Sequence, residues 1–194
     1  MKCTLCNSDL VNKFDNYYFV CSICNAYVKD RQYYSSSENE KLHYKQHNND
    51  VNDPRYRNFT SPITQYILKN YSNDEIGLDY GCGTGPVISK QLIDKGFYVK
   101  LFDPYFYPNT DYLNHMYDFI FSCEVFEHFY QPRHEIEKLL KLLKPNGKLI
   151  IMTHLFNETI DFNNWYYRKD PTHVFIYTKL TIDYIARKYQ LIAE

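Results

Sequence analysis

Leu78-Asp79-Tyr80-Gly81-Cys82-Gly83-Thr84-Gly85 is the stretch that decides the fold. The residues before the glycines, Ile76-Gly77-Leu78-Asp79-Tyr80, read as a short buried strand. Those after them, Pro86 to Lys95, read as a helix closed by Gly96. Glycines at such a junction let the backbone turn tightly and let a ligand come close. The spacing is G-x-G-x-G with Pro86 next, so the dinucleotide fingerprint, which needs glycine at that place, is absent. No Gly-Lys-Ser/Thr follows, which excludes a P-loop. Asp103 closes a second strand, Phe97 to Phe102, and an acid there can take both hydroxyls of a ribose. In open α/β sheets, ligands bind outside the carboxyl ends of the strands, where these residues fall.

Outward from this turn the chain alternates strand and helix. Tyr117 to Cys123 is an apolar strand. Ile136, Leu139, Leu140 and Leu143 fall at i, i+3, i+4 and i+7 and predict an amphipathic helix, ended by Pro145-Asn146-Gly147. Leu149 to Met152 is the next strand, and Thr178 to Tyr189 a last helix. Upstream, a helix is expected to begin near Ser61-Pro62, with serine as the cap. The alternation predicts an α/β fold, a Rossmann-like parallel sheet with helices on both faces. The predicted division is residues 1–30 as a small cysteine module, 31–75 as linker and helical segment, and 76–194 as the ligand-binding domain.

The motifs together resemble class I S-adenosylmethionine (SAM)-dependent methyltransferases. The resemblance rests on LDYGCGTG (78–85), the acid of LFDP (101–104), YDFIFSCEVFEH (117–128) and LLKPNGKLIIMT (142–153), and covers about residues 44–194. It resembles the branch that includes ubiquinone-pathway O-methyltransferases and many other small-molecule methyltransferases. It implies that Asp79, Gly81, Cys82, Gly83 and Gly85 line the methionine end of SAM, that Asp103 holds the ribose, and that Ser122, Cys123 and Glu124 sit beside the sulfonium. Two departures stand out. Thirteen residues separate Asp103 from Tyr117, where the family fits a helix and a strand, so that strand is expected to be missing or very short. The family's last hairpin would begin where Leu191-Ile192-Ala193-Glu194 closes the sequence, so the hairpin is expected to be missing.

Four of the six cysteines lie in the first thirty residues as Cys3-x2-Cys6 and Cys21-x2-Cys24, fourteen residues apart. Paired C-x2-C turns offer four thiolates to one tetrahedral ion, which predicts a zinc ribbon around a structural Zn2+. So short a segment has no core of its own, so the metal would supply its folding energy. Four thiolates leave no open position, which argues against a catalytic zinc. A redox pair is the competing reading of the same cysteines.

A second titratable cluster follows the strand at 117–123. Glu124, Glu127 and His128 crowd its carboxyl end, and Asp170-Pro171-Thr172-His173 precedes the last helix. Glu-x-x-Glu-His with a later histidine resembles two metal-using methyltransferase groups, the small-RNA 3′-terminal 2′-O-methyltransferases and the ubiquinone-pathway enzymes. That resemblance implies a second divalent ion on Glu124, Glu127, His128 and His173. His128, Glu127 and His173 are the expected catalytic residues. The alternatives left open are that Glu124 contacts only SAM, that Glu127-His128 cap the next helix, and that His173 is a metal-free general base. His154, just past a strand, is a weaker candidate. Trp165-Tyr166-Tyr167-Arg168-Lys169 reads either as a platform for a flat ring or as a packed lid. Tyr44, His47 and Arg57 lie in the polar stretch before the glycine loop, and Tyr44 and Arg57 are expected as cofactor or substrate contacts.

Composition sets the outer bounds. Hydrophobic residues make up 44% and charged residues 23% of the chain, an ordinary globular balance. The net charge of −1 provides no global basic field for nucleic acid. No apolar leader or membrane-length run is present in the sequence, so a cytoplasmic protein without membrane association is expected. The expected activity is methyl transfer from SAM to a small-molecule substrate, with metal-assisted O-methylation leading. An RNA methyltransferase that grips RNA with its zinc ribbon is the second reading, and a non-catalytic SAM-binding or interaction module the third.

Overall fold

In the computed structural model, which describes residues 1–46 and 49–194, two cysteine turns open the chain and frame a hairpin, β1 (Tyr18–Val20) and β2 (Tyr27–Lys29). Helices α1 (Ser37–Lys45) and α2 (Pro54–Asn70) follow. Next come β3 (Ile76–Tyr80), α3 (Val87–Ile93), β4 (Tyr98–Phe102) and β5 (Tyr117–Cys123). The remainder is α4 (Pro132–Leu142), β6 (Leu143–Met152), the short β7 (Leu155–Phe156), one turn of helix α5 (Tyr166–Lys169), β8 (Phe175–Thr178) and α6 (Lys179–Tyr189).

Helix α2 begins seven residues before the expected Ser61. Its cap is Asp53, whose carboxylate accepts from the Arg55 N–H, and Pro54 occupies the first turn, where its missing N–H costs nothing. Pro62 therefore lies inside the helix. It cannot donate to the Asn58 carbonyl, and the Ser61 hydroxyl donates there instead at 2.7 Å. The residue expected to cap the helix thus repairs the gap that the proline leaves.

One compact unit comprises Ser37–Cys123 and Glu137–Met152. Its sheet has the order β4-β3-β5-β6, every pair parallel. Phe119 and Phe121 point to one face of β5, as period-2 alternation requires, and meet Ile63 and Ile67 of α2 and Val87, Ile88 and Leu92 of α3. Ile67 and Leu92 are fully buried, and each such side chain contributes roughly 1.5–3 kcal/mol of transfer free energy. Between Phe102 and Tyr117 no strand forms among the described residues beyond a bridge of Asp103 to Tyr107, followed by a 3-10 turn over Thr110–Asn114. This matches the sequence expectation of a missing strand, and β3 lies directly between β4 and β5. Strand β6 begins earlier than expected: Pro145-Asn146-Gly147 lies within it, beside a register shift opposite Tyr117 and Phe119.

The other unit comprises Met1–Ser36, Glu124–Ile136 and Thr153–Glu194. Its sheet has the order β1-β2-β8-β7. Strand β8, which the sequence pattern did not reveal, pairs antiparallel with β2 through Tyr27–Ile176 and Val28–Phe175. The packing therefore groups the chain differently from a division at 30 and 75. The cysteine hairpin shares a sheet with the segment before α6, and both contribute to a largely aromatic hydrophobic cluster of Tyr18, Tyr27, Phe156, Phe162 and Ile176. No described helix is long and apolar enough to cross a membrane.

Candidate functional site

In the unit built on the parallel sheet, Gly81 and Gly83 adopt φ of 86° and 63°, a region that side chains disfavour. The turn is anchored by the Gly81 and Cys82 N–H groups, which donate to the Phe102 carbonyl at 2.8 and 3.1 Å. A Cβ on Gly85 would run into the Asn49 backbone carbonyl, so glycine is required there for close approach of residue 49. Asp79 is buried and accepts from the Ser89 hydroxyl at 2.6 Å. Burial pushes its carboxyl up to about 7. Asp103 accepts from the Gly83 N–H at 3.1 Å and, on its other oxygen, from the Tyr105 and Phe106 N–H groups. The acid thus stands at the turn itself. Ser122 is fully buried and its hydroxyl donates to the Tyr80 carbonyl at 2.8 Å, cross-linking β5 to β3. Cys82 is buried and Cys123 half-buried against the core. Arg57 donates to the Val51 carbonyl and fixes the loop before α2. Tyr44 lies against Tyr105, and His47 falls outside the described residues.

The other unit holds two candidate metal centres. Cys3, Cys6, Cys21 and Cys24 bring their sulfurs within 4.8 Å of one another. The pairs Cys3–Cys24 and Cys6–Cys21 stand 3.6 and 3.4 Å apart. A tetrahedral ion with Zn–S bonds near 2.3 Å requires sulfurs about 3.8 Å apart, so the quartet has the right size. The two turns are built alike. Asn7 and Asn25 follow the C-x2-C pairs with φ of 64° and 58°, and their N–H groups donate to the Cys3 and Cys21 carbonyls. The Cys24 N–H donates to the Cys21 sulfur. Thiol donors from Cys24 and Cys3 hold Cys21 well below the usual thiol range, while Cys3 is pushed up to about 12 by its bond to Cys21. Only a cation would let all four ionise together.

Glu127, His128 and His173 form the second group, their ligand atoms likewise within 4.8 Å. Glu127 is 0% exposed; its Oε2 accepts from the Thr153 hydroxyl, and its Oε1 has no hydrogen-bond partner among the described residues. Such a bare buried carboxylate oxygen is costly. His128 Nε2 and His173 Nε2 stand 3.9 and 4.0 Å from that oxygen. Their other nitrogens face carbonyls: His128 Nδ1 lies 3.1 Å from the Thr172 oxygen and His173 Nδ1 2.7 Å from the Tyr167 oxygen. A carbonyl only accepts, so each Nδ1 carries a proton, and each Nε2 is turned toward Glu127. Burial, then the neighbouring His128, hold His173 down at about 3, which keeps its ring neutral. A carboxylate oxygen and two imidazole nitrogens turned toward it are a donor set that suits a divalent ion of borderline softness.

Glu124, the fourth ligand expected from the sequence, is not in this group. Its Oε2 lies 3.9 Å from His154 Nε2, and its Oε1 is buried without a partner among the described residues. Burial, then the Glu127 charge, push its carboxyl up to about 8. Its backbone φ of 53° is unusual for a non-glycine residue and marks local strain. The aromatic run 165–169 is mostly packed. Trp165 joins the aromatic cluster, and buried Tyr167 places its hydroxyl 2.8 Å from Thr153 Oγ1, while Tyr166 is exposed. Sequence reading did not single out Thr153, and took Tyr167 only as part of the aromatic run; the bond between them joins residues distant along the chain.

A parallel sheet with a glycine turn after β3, and an acid at the end of its neighbour β4, is the Rossmann-like architecture of SAM-dependent methyltransferases. Residues 52–192 match the family described as "Methyltransferase domain", and the chain belongs to that family. No curated protein sequence matches the chain. Among solved structures it is similar to coclaurine N-methyltransferase bound to N-methylheliamine and SAH, at 16% identity over 75% of this chain and 54% of that one, with a TM-score of 0.43. It is also similar to the PH0226 protein of Pyrococcus horikoshii OT3, at 16% identity over 76% of this chain and 88% of that one, TM-score 0.48. A third is the plantazolicin methyltransferase BpumL in complex with SAH, at 20% identity over 59% of both chains, TM-score 0.31. The chain spans about half the length of the coclaurine enzyme.

Proposed function

We propose that the protein transfers the methyl group of SAM to an oxygen of a small-molecule acceptor, with a divalent ion on Glu127, His128 and His173 and a structural zinc on Cys3, Cys6, Cys21 and Cys24. The observation that carries the reading is the bare Glu127 Oε1 with His128 Nε2 and His173 Nε2 at 3.9 and 4.0 Å. It supports metal assistance over the helix-cap alternative, because a cap would spend the carboxylate on backbone N–H groups. Family membership supports SAM as donor, and the near-neutral charge supports a small acceptor over RNA.

In this reading Gly81, Gly83 and Gly85 admit the amino-acid end of SAM, Asp79 supplies negative charge for its ammonium group, and Asp103 accepts from its ribose hydroxyls. Thr153 fixes one oxygen of Glu127 and leaves the other for the ion. The carbonyls of Thr172 and Tyr167 hold the two rings in the ligating tautomer. A divalent ion bound there lowers the pKa of an acceptor hydroxyl and orients it. Methyl transfer is an in-line displacement, so positioning supplies most of the acceleration.

The test is a calorimetric titration with S-adenosylhomocysteine, with NAD as control, followed by labelled-methyl transfer to a panel of hydroxylated small molecules with and without added Mn2+. Binding of the first ligand alone and Mn2+-dependent labelling support the reading. No S-adenosylhomocysteine binding refutes the donor, and labelling insensitive to metal refutes the metal assistance.

A further inference from the structure

The cysteine hairpin reaches the second metal group through two residues that neither centre uses as a ligand. Tyr18, on β1 and three residues before Cys21, is fully buried, and its hydroxyl donates to the His173 carbonyl at 2.7 Å and lies 3.5 Å from the Arg168 carbonyl. Lys29, at the end of β2, donates from its backbone N–H to the Val174 carbonyl at 2.9 Å. Its ammonium donates to the carbonyls of Pro171 and Asp170 at 2.8 and 3.2 Å. Arg168 in turn is paired with Asp15, three residues before β1. The segment 167–174 thus receives hydrogen bonds from Tyr18 at the Arg168 and His173 carbonyls and from Lys29 at the Asp170, Pro171 and Val174 carbonyls. That segment contains His173 itself and the two carbonyls, Tyr167 and Thr172, that set the tautomers of His173 and His128. The cysteine turns close the other end: the Asn25 carbonyl accepts from the Thr178 hydroxyl at the start of α6.

We infer that Tyr18 and Lys29 are positioning residues for the Glu127–His128–His173 centre, and that the cysteine-bound hairpin is the outer support of that centre. The inference rests on the metal reading above. Orienting groups beyond the direct ligands set metal affinity because a ligand held in place gives up less entropy on binding. Buried Lys29 spends its charge on main-chain carbonyls, an expensive use unless the segment it holds has to be fixed.

The experiment is Mn2+ binding to the zinc-loaded full chain, followed by electron paramagnetic resonance of the free ion. Mn2+ favours oxygen and imidazole over thiolate donors, so it leaves the cysteine centre to zinc. Tyr18→Phe removes one hydroxyl and keeps the ring, and Lys29→Met keeps the aliphatic stem; thermal melting of each variant is recorded alongside. The expected result is a roughly tenfold loss of Mn2+ affinity in each variant at a temperature where both remain folded. Unchanged affinity in both, whatever their melting temperatures, overturns the inference while leaving the metal reading intact. Failure of the intact chain to bind Mn2+ overturns the metal reading and this inference together.

Discussion

Asp79→Asn separates what the fold wants from what the ligand wants. Asp79 is buried beneath the glycine turn with the Ser89 hydroxyl as its bonded partner, and burial raises its carboxyl from 3.8 to about 7. The folded state therefore holds this proton more tightly than the unfolded chain. Stability from this group is present in full below pH 3.8, declines as pH rises, and is gone above pH 7. A shift of roughly 3 units corresponds to about 4 kcal/mol as an upper figure. Asparagine keeps an acceptor for Ser89 and has no proton to lose. Urea unfolding at pH 4.5 and pH 8.5 measures most of the effect: the native chain loses up to about 3 kcal/mol more than Asp79→Asn across that interval. Binding of S-adenosylhomocysteine to the variant is expected to weaken, because the ligand's ammonium loses its charged partner. Parallel pH profiles for the two proteins would refute the argument that burial makes Asp79 a destabilising, ligand-directed charge.

Three further outcomes follow. Asp103→Ala removes an acceptor standing at the glycine turn and is expected to lower S-adenosylhomocysteine affinity by roughly 10- to 100-fold in calorimetry, from the loss of charge-assisted bonds to two hydroxyls; unchanged affinity removes it from the ribose site. His128→Ala is expected to lower the turnover number more than SAM affinity, and equal losses in both would assign it to cofactor support. Cys24→Ser is expected to drop bound zinc, measured by elemental analysis, from one equivalent to a small fraction of that and to lower the melting temperature; full zinc content in that variant would refute the four-thiolate site.

Much of the parallel-sheet unit was legible in the chain. Apolar strands at 76–80 and 117–123 and the glycine turn between strand and helix carry strong local signals, because each is fixed by burial period or by backbone conformation at a few adjacent residues. The absent strand after Asp103 was legible too, since thirteen residues do not accommodate a helix and a strand. The start of α2 was not. Ser61-Pro62 looks like a cap and first turn, and only the Asp53 cap eight residues earlier, with Ser61 bonded to the Asn58 carbonyl, makes a proline inside the helix tolerable. Pro145-Asn146-Gly147 looked like a turn between elements and instead lies in β6 at a register shift, where pairing partners decide the conformation.

By itself the sequence determined the class of fold, the glycine turn with its two acids, and the cysteine quartet, because residue type and short spacing carry those features. Tertiary structure alone decided which of the four expected ligands meet. It gathered Glu127, His128 and His173 and left Glu124 beside His154. It also joined the cysteine hairpin to β8 and set Tyr18 against the His173 carbonyl. Those residues lie 155 positions apart, and contacts at that separation depend on how whole strands pair, which no local pattern of side chains encodes.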